Sequence, residues 1–448
     1  MKKAYLLGIG GAGMAGIAQV LKEQGVEVRG YDRAPSPTTL HLQKRGIGVA
    51  FTPNPAALAT EDECIYSTAF DPNHPLLIKA TRTLPTYTRG EMMARICNSA
   101  PTRLAVAGTH GKTTTTGMIA HLALQGGKDP TVLIGGHLPQ IDGYGHKGEG
   151  SLSICEACEY KEAFLHLSPT LGILLNVDRD HLDCYTDMAG LTKGFARFLA
   201  RCESCLVNGD DPRCFKAAAT HPRVTTFGLQ DGVELQAKSL KEQRGYFSFT
   251  PYLRGKELGR VTLNVPGKYQ VYNALAALGA GLSLGIPLTE CIQNLASFSG
   301  VGRRFQVVYQ DHTLTVADDY AHHPTEIEGV LTTAKAMGYP RITAIFQPFT
   351  YSRTALLYKE FAKALSLADR VILAPLMAGR EAPIEEVSSH LIAKELPKAV
   401  VCESLSHCAA VALTDAKPGE LILTLGCGNV NLCALELKEF LQNRTKEE

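Results

Sequence analysis

The 448-residue sequence lacks an excess of charge of either sign. Lysine and arginine together number 45, aspartate and glutamate 44, and the formal net charge is +1. A chain with this balance has no global field that would attract nucleic acid or an acidic membrane surface. We therefore expect neither nucleic acid nor a membrane as a partner.

The sequence also lacks an apolar run long enough to span a membrane, and it lacks internal repeats and low-complexity tracts. The segment Met1–Gly10 begins with lysines and a short apolar stretch, but glycines interrupt it and no small-residue cleavage site follows. We expect a cytoplasmic protein without a signal peptide, either a monomer or a weak homodimer.

Cysteine is plentiful, but its pattern does not indicate a disulfide framework. The chain has 13 cysteines, an odd number, which favours reduced thiols in an intracellular setting. Two CxxC pairs, Cys155/Cys158 and Cys202/Cys205, lie too far apart in sequence for a compact zinc module. The cysteines are therefore predicted to be mostly small buried hydrophobic residues.

The most informative segment is a glycine-rich turn between a predicted strand, Leu104–Ala107, and an apolar helical pattern that extends to Leu124. This order is typical of a loop whose backbone N–H groups and helix N-terminus bind phosphates, with a lysine on the outer phosphates and a threonine on Mg²⁺. Only two residues separate the glycines, fewer than in the usual P-loop. The residues predicted to bind a nucleoside triphosphate are Gly108, Thr109, His110, Gly111, Lys112, Thr113 and Thr114.

A second glycine-rich turn, Gly8–Gly16, follows a predicted strand at Ala4–Leu7. A further strand, Val26–Tyr31, ends at Asp32, where an acidic residue could hold a ribose hydroxyl. Ser67 and Thr68 close the predicted strand Glu61–Thr68, at the strand end where open α/β sheets bind ligands. This region therefore predicts a nucleotide-binding βαβ unit.

Polar residues also end two strands near the phosphate loop. Glu156 ends the predicted strand Leu152–Glu156, and His181 follows the strand Leu171–Asn176. Because parallel strands present their carboxyl ends on one rim, we expect these residues to lie near Thr113 and to hold Mg²⁺ with it.

The last third of the chain repeats the α/β alternation. Two acids and two histidines lie in Asp318–Thr325 after the predicted strand Thr313–Ala317, and Arg353 follows the strand Ile342–Phe346. We predict an α/β protein of three domains, which are a Rossmann-like domain at 1–100, a P-loop ATPase-like central domain at 101–302 and a Rossmann-like C-terminal domain at 303–448.

Several motifs in order resemble the Mur ligase family, in the branch that joins L-alanine to UDP-N-acetylmuramate. The resemblance covers nearly the whole chain, with departures at Cys158, Tyr269-Gln270 and Phe349. It implies that ATP phosphorylates the lactyl carboxylate and that the amine attacks the resulting acyl phosphate. The motifs are Gly8–Ala18, Gly108–Thr116, Glu156–Tyr160, Asn176 with Asp180-His181, Gly302–Phe305, Asp318–Thr325 and Tyr351–Thr354.

The resemblance also implies individual roles. Thr113, Glu156 and His181 would hold magnesium, and Lys112, His181, His322 and Arg353 would serve catalysis. Besides the phosphate loop, the nucleotide would contact Asn273 through adenine, Asp319 through ribose and Arg304 through a phosphate. The residues implied to bind the UDP-sugar or the amino acid are Gly10, Gly11, Ala12, Gly13, Met14, Asp32, Ser67, Thr68, Arg89, Tyr320, His322 and Arg353.

Three other interpretations stay open at this point. A recycling ligase would add a preformed peptide to the same UDP-sugar. An NAD(P)-dependent oxidoreductase would use Gly8–Gly16 and Asp32, but it would leave the phosphate loop without a role. A non-catalytic nucleotide-gated regulator would not need Lys112, Glu156 and His181 together.

Overall fold

The computed structural model describes residues 1–179, 184–185, 187–379 and 381–447. These residues form two compact units. The first contains residues 1–240, 248–264 and 271–301, and the second contains residues 241–247, 265–270 and 302–448.

The first unit begins with a parallel sheet of strand order β3-β2-β1-β4-β5. The apolar run of β1 is buried from Ala4 to Leu7, as expected for a central parallel strand covered on both faces. The strands are β1 Lys3–Leu7, β2 Glu27–Tyr31, β3 Gly48–Ala50, β4 Glu63–Tyr66 and β5 Thr86–Thr88. The helices are α1 Ala12–Glu23, α2 Pro37–Lys44, α3 Pro75–Thr83 and α4 Arg89–Cys97.

The second sheet of this unit has the order β15-β14-β13-β12-β11-β10-β6-β9-β7-β8, and β16 pairs with β14. Its core from β12 to β7 is parallel, whereas β8 runs antiparallel to β7. The strands are β6 Thr102–Ala107, β7 Thr131–Leu138, β8 Gly143–His146, β9 Leu152–Glu156, β10 Leu171–Leu174, β11 Ser204–Asn208, β12 Val224–Gly228, β13 Leu235–Gln243, β14 Tyr246–Leu253, β15 Lys256–Glu257 and β16 Val261–Pro266. The helices are α5 Lys112–Gln125, α6 Met188–Leu199, α7 Pro212–Ala218, α8 Tyr269–Ser283 and α9 Leu288–Ser297.

Helix α1 of the first sheet packs directly on β8 of the second. A Cβ built on Gly16 would lie 2.5 Å from the Tyr144 carbonyl oxygen, and one built on Gly145 would lie 2.2 Å from the Gly16 oxygen. Gln19 adds a side-chain contact, because its Oε1 accepts the Tyr144 backbone N–H at 2.7 Å. The two sheets are therefore joined at backbone-to-backbone distance.

The second unit contains a sheet of order β17-β18-β22-β19-β20-β21, in which β17 is antiparallel and the other pairings are parallel. Its strands are β17 Gln306–Gln310, β18 Leu314–Asp319, β19 Ile342–Phe346, β20 Arg370–Leu373, β21 Val400–Val401 and β22 Glu420–Leu425. Its helices are α10 Pro324–Ala336, α11 Tyr351–Leu365, α12 Ser389–Ala393, α13 Leu405–Thr414 and α14 Asn431–Glu447.

The three parallel-rich sheets with their helices confirm the predicted α/β class. Across the described ranges, none of the helices combines the length and the apolar character that a membrane crossing requires.

Candidate functional site

The phosphate loop begins where β6 ends and leads into α5. Gly108 has φ +140° and Gly111 has φ +84°, which are backbone conformations that residues with a Cβ rarely adopt. Gly108 also packs closely on Leu175, the residue that follows β10, because an added Cβ would be 3.0 Å from Leu175 Cβ. The positive φ at both glycines therefore shapes the turn between β6 and α5.

Side chains after β10 fix the loop from the other side. The Asn176 side chain accepts the His110 backbone N–H at 2.8 Å and donates to the His110 carbonyl oxygen at 3.0 Å. Asp178 contributes two more contacts, since its N–H donates to Thr109 Oγ1 at 2.9 Å and its carboxylate lies 2.9 Å from His110 Nε2. The loop is thus preorganised by the chain segment that follows the neighbouring strand.

Lys112 stands at the first position of α5, with its side chain mostly buried. Its ammonium donates to the carbonyl oxygens of Gly108 and of Thr109 (2.9 Å) and to Glu159 Oε1 (3.1 Å). The same ammonium forms an ion pair with the Glu159 carboxylate, at 3.0 Å from Oε2. Burial is the largest influence and disfavours the charged form, but the negative groups of Glu159, Cys158 and Glu156 together raise the pKa of Lys112 above its ordinary value. The lysine is therefore held as a cation next to the phosphate loop.

Glu156 ends β9, which pairs with β6 on the side opposite β10. One of its carboxylate oxygens accepts the Gly135 backbone N–H at 2.5 Å. Thr113 is in the first turn of α5 and is buried. A carboxylate and a hydroxyl are hard oxygen donors of the kind Mg²⁺ prefers, so these residues fit a magnesium ion. The third predicted ligand, His181, lies outside the described residues.

Asn273 of α8 contacts the phosphate loop from within the same unit. Its Oδ1 accepts the Thr115 hydroxyl at 3.1 Å and would lie 2.6 Å from a Cβ on Gly111. The structure thus places this predicted nucleotide residue against the loop and the start of α5.

In the N-terminal sheet, the loop between β1 and α1 holds the predicted UDP-binding glycines. Asp32 Oδ2 accepts the Gly10 N–H at 2.8 Å, and Oδ1 accepts the Arg33 N–H at 2.8 Å, so this carboxylate supports the loop. Helix α1 begins at Ala12 and turns its N-terminus toward the loop. Arg89 lies beside the loop, since its Nη1 would be 2.9 Å from a Cβ on Gly13.

The other side of this loop faces the end of β4. A Cβ on Gly8 would lie 3.5 Å from Ser67 Cβ, and the Ser67 N–H donates to the Leu7 carbonyl oxygen at 3.2 Å. Ser67 Oγ accepts the Ala69 N–H at 3.3 Å. The structure therefore brings together the glycine loop, Ser67, Thr68 and Arg89 at one strand-end rim.

In the second unit, β18 ends with two buried acids. Asp318 binds the Arg303 guanidinium at 2.8 Å and the Thr424 hydroxyl at 2.6 Å. Asp319 accepts the N–H groups of Phe305 and Ala321, both at 2.7 Å. Burial raises the pKa of Asp319 to about 6, although Arg304 and the two N–H groups act in the opposite direction.

The other predicted residues of this unit lie before β17, after β18 and at the start of α11. The Arg304 guanidinium is 5.1 Å from the centre of the Tyr320 ring, and the Tyr320 and His322 rings meet edge to face at 5.4 Å. His322 Nδ1 lies 3.0 Å from the Tyr320 carbonyl oxygen and 3.3 Å from Glu326. Arg353 is half-buried in the first turn of α11.

Glu159 and Asn176 also belong to the phosphate-loop site, although no role was predicted for either. Glu159 is 2% exposed and binds Lys112, and Asn176 holds the phosphate loop. A buried lysine at a helix start needs a counter-ion, and that requirement could have directed attention to the second glutamate of Glu156–Tyr160.

Comparison with known families assigns almost the whole chain. Residues 3–100 match the Mur ligase family catalytic domain, residues 106–281 the Mur ligase middle domain, and residues 303–428 the Mur ligase glutamate ligase domain. The UDP-N-acetylmuramate–L-alanine ligase of Clostridium novyi is 37% identical over 438 residues, which is 96% of this chain and 95% of that protein. The ligase of the same name from Caldicellulosiruptor bescii is 34% identical and covers 97% of both chains.

Solved structures agree with this assignment. The UDP-N-acetylmuramate–alanine ligase of Thermotoga maritima superposes with a TM-score of 0.87 at 27% identity, over 99% of both chains. A murein peptide ligase from Psychrobacter arcticus shares the fold, with a TM-score of 0.79 at 23% identity over 98% of both chains. With three matched domains in order and relatives similar over their full length, the chain is a member of the Mur ligase family.

Proposed function

We propose that the protein joins L-alanine to the lactyl carboxylate of UDP-N-acetylmuramate, with ATP as the energy source, in the synthesis of peptidoglycan precursors. The γ-phosphoryl group of ATP passes to the carboxylate, which gives an acyl phosphate and ADP. The amino group of L-alanine then attacks the acyl carbon, and phosphate leaves as the amide forms. The observation that carries this proposal is the buried, charged Lys112 on a preorganised phosphate loop beside Glu156.

The phosphate loop and the start of α5 would promote the phosphoryl transfer by positioning the phosphates and by stabilising their negative charge. Backbone N–H groups of the loop and the N-terminus of α5 bind phosphate oxygens, and Lys112 stabilises the negative charge of the moving phosphoryl group. Glu159 keeps the lysine charged and oriented. Thr113 and Glu156 would hold Mg²⁺, together with His181. When bound, the ion neutralises phosphate charge and polarises the oxygens it touches.

The N-terminal sheet would bind the UDP-sugar. The glycine loop supplies backbone N–H groups at the start of α1, where the helix dipole favours an anion such as the diphosphate. Arg89 adds a full positive charge beside Gly13. Asp32 already accepts two backbone N–H groups, so its first role in this proposal is to hold the loop in shape.

The second unit would supply residues for the nucleotide and the amino acid. Arg304 would contact a phosphate and Asp319 the ribose. Tyr320 and His322 would contact the amino acid, whose carboxylate the planar guanidinium of Arg353 could bind with two parallel hydrogen bonds.

The setting of the enzyme belongs to the same proposal. A reaction that consumes ATP and a UDP-sugar is suited to the cytoplasm, and we propose a monomer or weak homodimer in which each chain is active. Sedimentation across a concentration series, followed by activity at each concentration, would test the second point.

A coupled ADP-release assay tests the reaction. Purified protein should release ADP only when UDP-N-acetylmuramate, L-alanine and Mg²⁺ are all present, and mass spectrometry should find the amide product. Lys112→Ala should stop ADP release while it leaves UDP binding intact. Turnover with an L-alanyl tripeptide but not with L-alanine would instead identify a recycling ligase, and hydride transfer with NADH would identify an oxidoreductase.

A further inference from the structure

Lys161 follows β9 of the β6–β16 sheet, and its side chain contacts the β1–β5 sheet. It lies in the short 3₁₀ segment Tyr160–His166 after β9, and its ammonium donates to the Thr68 carbonyl oxygen at 3.3 Å. Thr68 follows Ser67 at the end of β4, on the rim that holds the glycine loop. The lysine therefore reaches the expected UDP-sugar site from a different sheet.

The backbone at Lys161 adopts a conformation that L-residues rarely use. Lys161 has φ +48° and ψ +34°, and Glu162 has φ +53° and ψ +27°. Neighbouring groups hold this turn. The Glu162 N–H donates to the backbone carbonyl oxygen of Glu159 at 2.9 Å. Ala163 packs closely on Gly90, where an added Cβ would lie 3.0 Å from the Ala163 Cβ. Strained backbone retained by such contacts is typical of functional segments, and here it turns an exposed lysine toward β4.

The ammonium of Lys161 has capacity for an anion. Within the described ranges, no carboxylate lies within 4.0 Å of it, and the Thr68 oxygen is its hydrogen-bond acceptor. An ammonium has three N–H groups, so the contact with Thr68 leaves donors for a ligand. The Tyr160 ring, 5.8 Å away, forms an apolar side to this position.

Two cations, Arg89 and Lys161, lie on the rim that holds the glycine loop. Gly13 lies beside Arg89, and Gly8 lies beside Ser67, the neighbour of Thr68. We propose that Lys161 binds the diphosphate of the UDP-sugar, so that Arg89 and Lys161 hold the two phosphoryl groups from opposite ends of the loop. This inference rests on the proposed function, in which the loop binds UDP. It adds a substrate contact from the chain after β9, two residues beyond Glu159, the residue that forms an ion pair with Lys112.

Three variants test the role of this lysine. Lys161→Met removes the charge but keeps the length, and Lys161→Arg keeps the charge. Lys193→Met is the matched control, because Lys193 is an exposed lysine on α6 of the same unit. Melting temperatures should be measured first, to show that each protein is folded.

Binding of UDP and of UDP-N-acetylmuramate should then be titrated by calorimetry without ATP. Loss of a charge-assisted hydrogen bond to phosphate should weaken both ligands about ten-fold in Lys161→Met. Lys161→Arg should recover most of this loss, and Lys193→Met should bind as the wild type does. In turnover assays, the KM for UDP-N-acetylmuramate should rise by the same factor, while the KM values for ATP and L-alanine stay within two-fold.

The outcomes separate this inference from the proposed function. Unchanged UDP affinity in a folded Lys161→Met variant would overturn the inference alone, provided that the wild type still turns over. Weaker binding of UDP-N-acetylmuramate with normal binding of UDP would overturn the diphosphate assignment and place the lysine on the sugar acid. A wild type that binds neither ligand would overturn both proposals.

Discussion

At the scale of single residues, the pair formed by Lys112 and Glu159 most directly determines the chemistry. The side chain of Glu159 is 2% exposed and that of Lys112 is 15% exposed, so each group is the buried counter-ion of the other. We expect Glu159→Gln to lower the rate of ADP formation about 10²-fold, because the lysine loses its counter-ion and its orientation. Steady-state and single-turnover ADP assays would measure the change.

Glu162→Gln is the matched control for this prediction. Glu162 belongs to the same segment, but it pairs at the surface with Arg197, whose side chain is 61% exposed. Exposed pairs of this kind contribute little, so the control should keep nearly full activity. Equal losses in the two variants would mean that the segment, not the buried ion pair, sets the rate.

Asp319 should make the stability of the protein depend on pH. Its pKa in the folded protein is about 6, above its ordinary value of 3.8. The folded state therefore binds the proton more tightly than the unfolded state, and stability falls as pH rises from about 4 to about 6. The shift corresponds to a loss on the order of 3 kcal/mol.

Asp319→Asn removes this titration and isolates its effect. Denaturant midpoints measured between pH 4.5 and 7 should show the wild type losing stability relative to the variant as pH rises. Parallel curves for the two proteins would show that the carboxyl group titrates near its ordinary pKa in the folded state.

Local sequence predicted the phosphate loop but not every contact that fixes it. The glycines, Lys112 and Thr113 follow a buried strand, and that order is enough to predict an anion site. Which of Glu156 and Glu159 would face the lysine depends on the path of the chain after β9, where Lys161 and Glu162 adopt positive φ. Sequence periodicity carries no information about such a turn, because positive φ at these residues is imposed by tertiary contacts.

At the scale of elements, apolar runs identified the central strands and missed several short edge strands. The predicted strand Ile342–Phe346 agrees with β19 residue for residue, since a parallel strand buried on both faces is apolar throughout. Strand β8, Gly143–His146, was not predicted, because alternating glycines disfavour a strand. Gly145 is needed there because an added Cβ would lie 2.2 Å from the Gly16 carbonyl oxygen of α1, and at Gly143 it would lie 2.2 Å from the Gln19 side chain of the same helix. The contact between α1 and β8 thus requires glycine in β8, and for this reason the local sequence did not predict a strand there.

This packing gives a prediction for Gly16. A methyl group at this position would lie 2.5 Å from the Tyr144 carbonyl oxygen and 3.3 Å from Leu133. Because the obstacle is backbone, α1 must move away from β8, and Gly16→Ala should destabilise the protein by about 1–3 kcal/mol despite the better helix propensity of alanine. Thermal unfolding would show a lower midpoint.

Gly329→Ala is the control, because Gly329 is also inside a helix, α10, but an added Cβ would meet Tyr269 at an ordinary 3.5 Å. This variant should be as stable as the wild type or slightly more so. If Gly16→Ala were equally neutral, the close packing of α1 on β8 would be wrong.

At the scale of the whole molecule, the cysteines report on whether both units are folded. The structure has 13 free cysteines, of which ten are buried and three, Cys158, Cys184 and Cys427, are partly exposed. Burial raises the pKa of several of the buried thiols, such as Cys64 to about 12 and Cys291 to about 11, so these thiols form little reactive thiolate. In the native protein, a thiol reagent should therefore modify at most three groups rapidly, and in denaturant it should modify all 13.

Buried cysteines occur in both units. The slow modification of these buried thiols therefore also measures how often each unit unfolds. Mass spectrometry of partly labelled protein should show Cys64 and Cys155 of the first unit protected together, and Cys402 and Cys433 of the second protected together. UDP should slow the labelling of the first pair, since a ligand that binds only the folded state stabilises it. Rapid modification of any of these four thiols in the native protein would contradict the packing of the sheet against which that cysteine lies.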